Sequence, residues 1–463
     1  MRMRKIVRVL GLVAGMAATP LSAGAETLAD ALVAAYTNSN LLDQNQAVLR
    51  AADEDAAIAV ASLRPVVNFV AQAGWRKYDN GTASLSLPSK NFESSSASLS
   101  VTAQMVLWAG GRGQLSASAA REAVLATRAS LVSVEQEVLL NAVAAYVRYG
   151  LAAEIVGLRE SNVRVITKEL RAAKDRFDVG EITQTDVSQA EAALALAQAN
   201  LAAAQGDLMV ARENYKAATG HYPGRLSGLP KTPATAKSLE EAKSVAQRGH
   251  PAVIQVQHQV KAAELGVQIA KTVLGPTVSG EVSVGKDLNS GVGNIGAGLS
   301  FNQTLYAGGG NSASYRQALA NKDAARSGLL QTIVGVEQSV GVAWANLAVA
   351  NASIDASRKQ ISAAQRAFDG VREEATLGAR TTLDVLNAEQ DLLSARASRL
   401  EAEANRYIGV YNLLATMGLL TAEHLKLGVP TYDPQAYYNA VKNAPAMSAQ
   451  GKALDRILKK IGN

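Results

Sequence analysis

Cysteine is absent from the sequence, which excludes a disulfide framework and the acylated N-terminal cysteine of a lipoprotein. Aromatic residues are also scarce, at 5% of a chain that is 48% hydrophobic, because alanine supplies much of the apolar count. Alanine favours helices that pack closely, whereas a bulky globular core needs larger side chains. Although 463 residues are enough for two or three ordinary domains, this composition favours packed helices instead.

Long hydrophobic runs are missing after the N-terminus. Residues 1–25 have a basic start, an apolar stretch and an Ala-Gly-Ala site, which together predict a secretory signal peptide cut before Glu26. A retained anchor helix is the alternative. No later stretch approaches the roughly 18 to 20 consecutive apolar residues of a spanning helix. The signal also carries four of the six excess positive charges, so the pI of 9.3 gives no evidence for a nucleic-acid partner.

Catalytic and metal-binding patterns are missing as well. The four histidines show no metal-ligand spacing with carboxylates, and the glycine runs WAGGRG and YAGGGN do not match a phosphate-binding loop. The sequence shows no nucleophile-base arrangement and no basic groove interleaved with aromatics. We therefore expect no enzyme activity, no catalytic residue, no metal or cofactor, and no nucleic-acid partner. The histidines are His221, His250, His258 and His424.

The chain does contain an internal duplication. The string LGARTTLDVLNAEQDLL (377–393) matches VGEITQTDVSQAEAALA (179–195) at a constant shift of 198 residues. LWAGGRG (107–113) matches LYAGGGN (305–311) at the same shift. Upstream the shift rises to 211, which leaves 13 extra residues in one polar loop of the first copy. A hairpin tip tolerates such an insertion.

Each copy contains two segments with alternating polarity. Residues 67–75 and 99–107 in the first copy, and 278–284 and 295–301 in the second, place apolar side chains or glycine at every second position. Alternation over about ten residues, with hydroxyls and amides on the other face, suits a transmembrane barrel strand. A half-buried hairpin of a soluble protein shows the same alternation and remains the alternative.

Each hairpin is followed by a very long helical segment. Proline is absent between Pro88 and Pro223 and between Pro276 and Pro430. Residues 112–178 are predicted to form an almost unbroken helix, about 100 Å long at 1.5 Å per residue. The next helix has one coiled-coil seam and the last helix has two, which indicates a wall of helices around a hollow. The seam of the helix at 183–219 consists of Val187, Ala190, Leu194, Ala197, Leu201, Ala204 and Leu208. In the last helix, one seam consists of Leu393, Ala397, Leu400, Ala404, Tyr407, Tyr411 and Leu414, and the second of Val385, Ala388, Leu392 and Ala395.

These signals divide the chain into segments. After the signal peptide, the first repeat is predicted at 26–220, with strands at about 65–78 and 96–108 and long helices at about 112–178 and 183–219. A linker follows at 221–237. The second repeat is predicted at 238–427, with strands at about 276–286 and 294–306 and helices at about 310–376 and 381–417. The tail, 428–463, is expected to be loosely held.

The motif that recurs at 179–195 and 377–393 is typical of a corner between two helices. Gly180 and Gly378 suit the left-handed residue that follows a helix end. Three residues later, T-x-x-D forms a capping box, with Asp186 or Asp384 reaching back to its threonine. Helix capping alone is enough to explain both aspartates, which is the simpler alternative to a functional role.

Together, the signal peptide, the duplicated halves, the strand-plus-helix pattern and the motif G-x-R-T-x-L-D-V-L-[DN]-A resemble the TolC family of outer-membrane channel proteins. The resemblance covers the chain from about Glu26 to about Leu427. It implies a mainly α fold with two internal repeats and four strands per chain. A homotrimer would then form a 12-stranded transmembrane β-barrel continued by a long coiled-coil α-helical barrel.

The resemblance also implies site residues. Arg380 would tie the second corner to Asp186 of the first and hold the periplasmic mouth shut; we call this pair the latch. Asp384 would form a lumenal selectivity ring, with Asn387 at a position that is acidic in the family. The adaptor-contacting tips would be Gly180, Thr183, Gly378 and Thr381.

The implied function is that of a passive exit duct in the outer membrane of a Gram-negative bacterium, extending into the periplasm. It would serve type I protein secretion, drug efflux or both. Its partners would be outer-membrane lipid, a periplasmic adaptor (membrane fusion) protein and an inner-membrane ABC or proton-driven pump. A periplasmic coiled-coil adaptor is the alternative, but it should have one hairpin and no barrel strands.

Overall fold

The two repeats of the sequence form two copies of the same series of elements. In the computed structural model, the described residues are 25–78 and 92–442, together with Lys452 and Arg456. Almost all of the expected signal peptide, most of the extra polar loop and most of the tail beyond 442 lie outside these residues. The described chain is mostly helical, at 69%.

Each repeat has two short helices, a β-hairpin and two long helices. The first contains α1 (Leu28–Thr37), α2 (Asn40–Ala61), β1 (Val66–Tyr78), β2 (Phe92–Trp108), α3 (Arg112–Asp178) and α4 (Gln184–Thr219). The second contains α5 (Leu239–Gly249), α6 (Pro251–Thr272), β3 (Thr277–Asp287), β4 (Gly293–Asn302), α7 (Gly310–Thr376) and α8 (Thr382–Thr416). A further short helix, α9 (Pro434–Val441), follows.

The four strands form one antiparallel sheet in the order β1-β2-β3-β4. Its register aligns apolar side chains across all four strands, as in the row Phe69, Val101, Val284 and Ile295. These side chains are exposed, Phe69 at 69% and Ile295 at 84%. A half-buried soluble hairpin would cover such a face, so the sheet has the polarity of a lipid-facing wall.

The edge strand β4 is shorter than the alternation predicts. It ends at Asn302 rather than near residue 306, opposite Thr277 at the start of β3. The corresponding strand β2 continues to Trp108 because β3 pairs with it that far, from Gly280 opposite Met105 to Val278 opposite Trp108, whereas β1 reaches only Gln104. Among the described residues, β3 is the strand that pairs with β4, and it begins at Thr277, so it offers residues 303–306 no partner.

The long helices form a wall one helix thick. α3 and α7 each have 67 residues and are therefore about 100 Å long. Next to the sheet they pack with α2 and α6 in the order α2-α3-α6-α7, and farther away with α4 and α8 in the order α4-α3-α8-α7. Both contain an 18-residue window with mean hydropathy 1.3, of which only 39% and 22% are buried. A single chain thus leaves both edges of its wall uncovered.

A second layer, which we call the belt, covers one face of this wall at mid-height. It consists of α1, residues 220–237, α5 and residues 418–442. Leu28 and Leu32 of α1 pack against Leu139 and Tyr146 of α3 in one cluster, and α5 packs against α7 in another. The belt lies on one side of the wall only.

The expectation of a loosely held tail is wrong for residues 430–442. α9 packs against α2, and Val441 is buried. Tyr432 and Tyr438 join an apolar cluster with Leu49, while the Tyr437 hydroxyl donates to Glu54 at 2.8 Å. The low apolar content of the tail obscured these three tyrosines, which supply most of the contact.

Candidate functional site

The two helix corners lie at the end of the wall farthest from the sheet. Gly180 and Gly378 adopt left-handed backbone conformations, with φ of 82° and 78°. In both corners the amide after the glycine donates to the carbonyl five residues earlier, at 2.9 Å. A residue with a Cβ is strained at such a φ, so glycine is the residue that ends each long helix here.

Both corner threonines form the capping box that the sequence predicts. The Asp186 carboxylate accepts from the Thr183 amide at 2.9 Å and its hydroxyl at 2.7 Å; Asp384 accepts from Thr381 at 3.0 and 2.9 Å. These hydrogen bonds lower the pKa of both aspartates. In each case they all reach one oxygen, Oδ2. The helix caps therefore leave Oδ1 of both carboxylates available for another role.

Within the chain, Arg380 does not pair with Asp186. Its Nε donates to Oε2 of Glu374 at 2.8 Å, with both side chains 51% exposed. This hydrogen bond is the main cause of a raised pKa for Arg380. Among the residues that the structure describes, Asp186 takes part in no ion pair. The latch is therefore absent from the isolated chain and stays a prediction for the assembled protein.

Asp384 and Asn387 belong to a longer polar stripe along α8. Its members follow one another at alternating spacings of three and four residues and none is buried, so they share one face of the helix. In the belt region, Tyr407, Tyr411 and Leu414 lie on the opposite, buried face. The polar stripe consists of Asp384, Asn387, Asp391, Ser394, Ser398, Glu401 and Asn405.

Asp391 is a candidate site residue that the sequence interpretation missed. It is exposed and lies one turn beyond Asn387 on the same face. The 3-4 spacing from Asp384 through Asn387 to Asp391 was a signal that could have identified it. The half of this face nearest the corner thus has two carboxylates, about 10 Å apart along the helix, and Glu401 adds a third farther along.

The polar stripe continues into an open groove on the side of the wall opposite to the belt. The groove has a volume of about 840 Å³ and lies over α8, between α3 and α7. Amide and charged side chains dominate its polar lining: Asn141, Arg148, Asn346, Gln360, Glu401 and Asn405. One face of the wall therefore has a continuous polar stripe that leads from the corner into a groove of mixed polarity at mid-height.

No metal-binding cluster accompanies these features. Within residues 25–78 and 92–442, no group of three or more His, Asp or Glu side chains has the geometry to hold an ion. His221 and His258 instead pair singly with Glu26 and Glu122, at 2.9 and 2.7 Å.

Comparison with known sequences identifies the family. The profile of the outer membrane efflux proteins matches residues 31–221 and 243–419, which include both repeats. The chain belongs to the outer membrane efflux protein family. The two matched segments correspond to the two repeats, with the linker between them.

Two curated relatives show the range of similarity within this family. The outer membrane efflux protein BepC of Brucella suis biovar 1 (strain 1330) is 34% identical over 448 residues, covering 95% of this chain and 96% of BepC. The outer membrane protein TolC of Escherichia coli (strain K12) is 24% identical over 313 residues, or 63% of either chain. Among solved structures, CusC superposes with a TM-score of 0.76 at 18% identity, covering 84% of this chain and 91% of CusC.

These findings confirm the predicted TolC-type fold, the outer-membrane location in a Gram-negative bacterium and the role as an exit duct. They rule out the adaptor alternative, because the family match covers both repeats and the sheet. Members of the outer membrane efflux protein family are channels rather than enzymes. TolC-like channels are trimers that work in tripartite export systems with an adaptor and an inner-membrane pump.

Proposed function

We propose that three copies of this chain form a passive export duct whose periplasmic mouth is closed by the Asp186–Arg380 latch. An adaptor and an ABC or proton-driven pump would complete the tripartite system, and the pump would supply the energy. The observation that supports this proposal best is the contrast between two surfaces: an exposed apolar face on the sheet and a polar stripe along α8 of the helical wall. Such a chain has a lipid-contacting end and a water-contacting lumen.

The free edges of the chain support a closed ring of copies. β1 and β4 are the edge strands of the sheet, and four strands are too few to close a barrel alone. The wall has α4 at one edge and α7 at the other. In a ring of copies, β4 of one copy would pair with β1 of the next, and α7 would pack against α4. One head-to-tail contact would thus cover the free edges of both the sheet and the wall. Three copies give the 12-stranded barrel of the family.

The belt supports the assignment of the lumen. A closed tube can carry an extra layer on its outside, whereas a layer on the inside would block the passage. The polar stripe lies opposite to the belt, so it would face the lumen. Asp384 and Asp391 would then form two rings of three carboxylates, with Asn387 between them. We infer a cation preference that comes from two separated rings.

The corners provide the proposed gate and docking site. Oδ1 of Asp186, in the first corner, has no partner in its own helix cap, and Arg380 is exposed on the second corner. A single exposed ion pair contributes about 0 to 1 kcal/mol. Three Asp186–Arg380 pairs in a trimer would therefore be strong enough together to hold the mouth closed and weak enough for a docking partner to open it. The tips formed by Gly180, Thr183, Gly378 and Thr381 are the surfaces that we assign to the adaptor. We expect drug efflux, type I protein secretion or both.

Single-channel recording in planar bilayers tests this function. We expect wild type to give small, cation-preferring steps, Arg380→Ala to enlarge them and Asp384→Ala to reduce the cation preference. Arg171→Ala is the matched control, because Arg171 is an exposed arginine near the first corner that forms no ion pair with the described residues. Steps that do not respond to either site substitution would leave the duct but remove the gate and the ring.

A further inference from the structure

Both corners contain an internal ion pair between the end of the long helix and the turn, with the charges reversed; the helix residues are equivalent in the repeat, and the turn residues are offset by one position. In the first corner, Arg176 at the end of α3 lies 4.0 Å from Glu181 in the turn. In the second, Glu374 at the end of α7 contacts Arg380 in the turn at 2.8 Å. Arg176 and Glu374 correspond at the 198-residue shift of the repeat. The first corner thus presents carboxylates in its turn, and the second presents a guanidinium.

Helix stability does not explain Glu374. The C-terminal end of a helix carries partial negative charge, which favours cations there and disfavours carboxylates. α3 has Arg176 in its last turn, between Asp175 and Asp178, whereas α7 has no basic residue in its last turn. Instead, Glu373 and Glu374 both lie there. A carboxylate at the position of Glu374 destabilises its own helix electrostatically, and the ion pair with Arg380 offsets this cost.

The contact uses only one edge of the guanidinium. Arg380 donates through Nε to Glu374, and its Nη groups form no hydrogen bond with the residues that the structure describes. An arginine has five N–H donors in a rigid plane, so a carboxylate on Nε fixes that plane and leaves the Nη edge free. In the first corner, Arg176 pairs with Glu181, which leaves Oδ1 of Asp186 as the complementary free acceptor.

We propose that Glu374 is a positioning residue for the gate: it holds the Arg380 side chain so that its free Nη edge points away from its own corner, ready to bind Asp186 of a neighbouring corner. This inference rests on the latch of the proposed function. Long arginine side chains lose considerable rotamer freedom when they are fixed in an ion pair. Fixing Arg380 before the corners meet reduces that loss when the mouth closes.

The test compares Glu374→Gln with Glu373→Gln in single-channel recordings of the full-length trimer. Both substitutions remove one exposed carboxylate from the last turn of α7, but only Glu374 contacts Arg380. We expect Glu374→Gln to increase the occupancy of the enlarged conductance state about two- to fivefold, in the range of one exposed ion pair. Glu373→Gln should stay close to wild type. High salt should reduce the difference, because it screens exposed charges.

The double variant Glu374→Gln/Arg380→Ala separates positioning from an independent effect. If Glu374 acts through Arg380, the double variant behaves as Arg380→Ala alone. Additive opening in the double variant, equal behaviour of Glu374→Gln and Glu373→Gln, or tighter closure by Glu374→Gln would each overturn the inference. Tighter closure would mean that Glu374 competes with Asp186.

Arg380→Ala distinguishes failure of this inference from failure of the gate. If Arg380→Ala opens the channel but Glu374→Gln behaves as its control, the latch stands and only the role of Glu374 is refuted. If Arg380→Ala itself has no effect, the latch is refuted together with the inference. Because Glu374 is half exposed, its substitution should leave the trimer intact, and size-exclusion chromatography in detergent checks this.

Discussion

Asp53 lies on α2 beneath the C-terminal segment, with a fully buried side chain. Its nearest cation, Arg128 of α3, is 3.8 Å away, and neither carboxylate oxygen has a hydrogen-bond partner within the described structure. Tyr432 and Tyr438 of the tail close the site, and the Arg128 guanidinium lies 5.3 Å from the ring centre of Tyr438. Burial raises the pKa of Asp53 to about 6, against the opposing effect of Arg128 and with a smaller contribution from Glu54.

This raised pKa couples attachment of the tail to protonation of Asp53. A carboxyl whose pKa is higher in the closed state stabilises that state fully below its ordinary pKa near 4, and the stabilisation is lost as pH rises through 6. A difference of about two pKa units corresponds to about 3 kcal/mol. We therefore expect the tail to open more easily at pH 7.5 than at pH 4.5, by an amount of this order.

Hydrogen exchange of the α9 amides measures the free energy of tail opening at the two pH values. Wild type should lose about 2 kcal/mol between pH 4.5 and pH 7.5, because pH 4.5 already lies above the ordinary pKa near 4 and part of the stabilisation is gone there. Asp53→Asn, which cannot ionise, should lose little. Asp55→Asn is the control, because Asp55 is exposed on the same helix and carries the same charge. Equal pH dependence in wild type and Asp53→Asn would refute the coupling.

Three further predictions concern the lumen, the belt and the corners. Asp391→Asn should reduce the cation preference of the channel and Asn387→Asp should increase it, each about twofold at an ionic strength near 0.1 M, as measured by reversal potentials in a salt gradient. Tyr146→Phe should weaken the belt by about 1 to 2 kcal/mol, because its single O–H donor lies 2.8 and 3.0 Å from the backbone carbonyls of Ser227 and Glu26, which share its hydrogen bond. Hydrogen exchange of residues 225–228 would show this, with Tyr149→Phe as the control. Gly180→Ala should cost about 1 to 2 kcal/mol at its corner through backbone strain alone, since no atom lies within 4 Å of the added Cβ; protection of the corner amides that does not change would contradict it.

Local signals in the sequence predicted the elements around the site well. The capping boxes at Thr183 and Thr381 and the glycine corners depend on residues within one turn of each other, so the sequence contains the necessary information. The two-sided seam of α8 likewise predicted neighbours on two sides, and in the structure these neighbours are α3 and α7.

Contacts between distant or charged side chains were harder to predict. The pairing of Arg380 with Glu374 was not anticipated, because several carboxylates lie within reach of a flexible arginine and the sequence does not rank them. The attached tail was missed for a different reason. Its contacts join Tyr437 to Glu54 across 383 residues, and sequence periodicity has no means of indicating such a pair.

The belt is assembled from three separate parts of the chain, and this determines when it can form. Glu26 binds Tyr215, 189 residues later, and the Glu135 carboxylate accepts from the Ala422 amide across 287 residues. A chain that leaves the secretion machinery with its N-terminus first can build the local α3–α4 hairpin early, since its contacts are close in sequence. The belt must wait until nearly the last residues have emerged. The complete belt can therefore form only in a chain that has been exported to near its C-terminus. A truncated product could form the α3–α4 hairpin but would lack the complete belt.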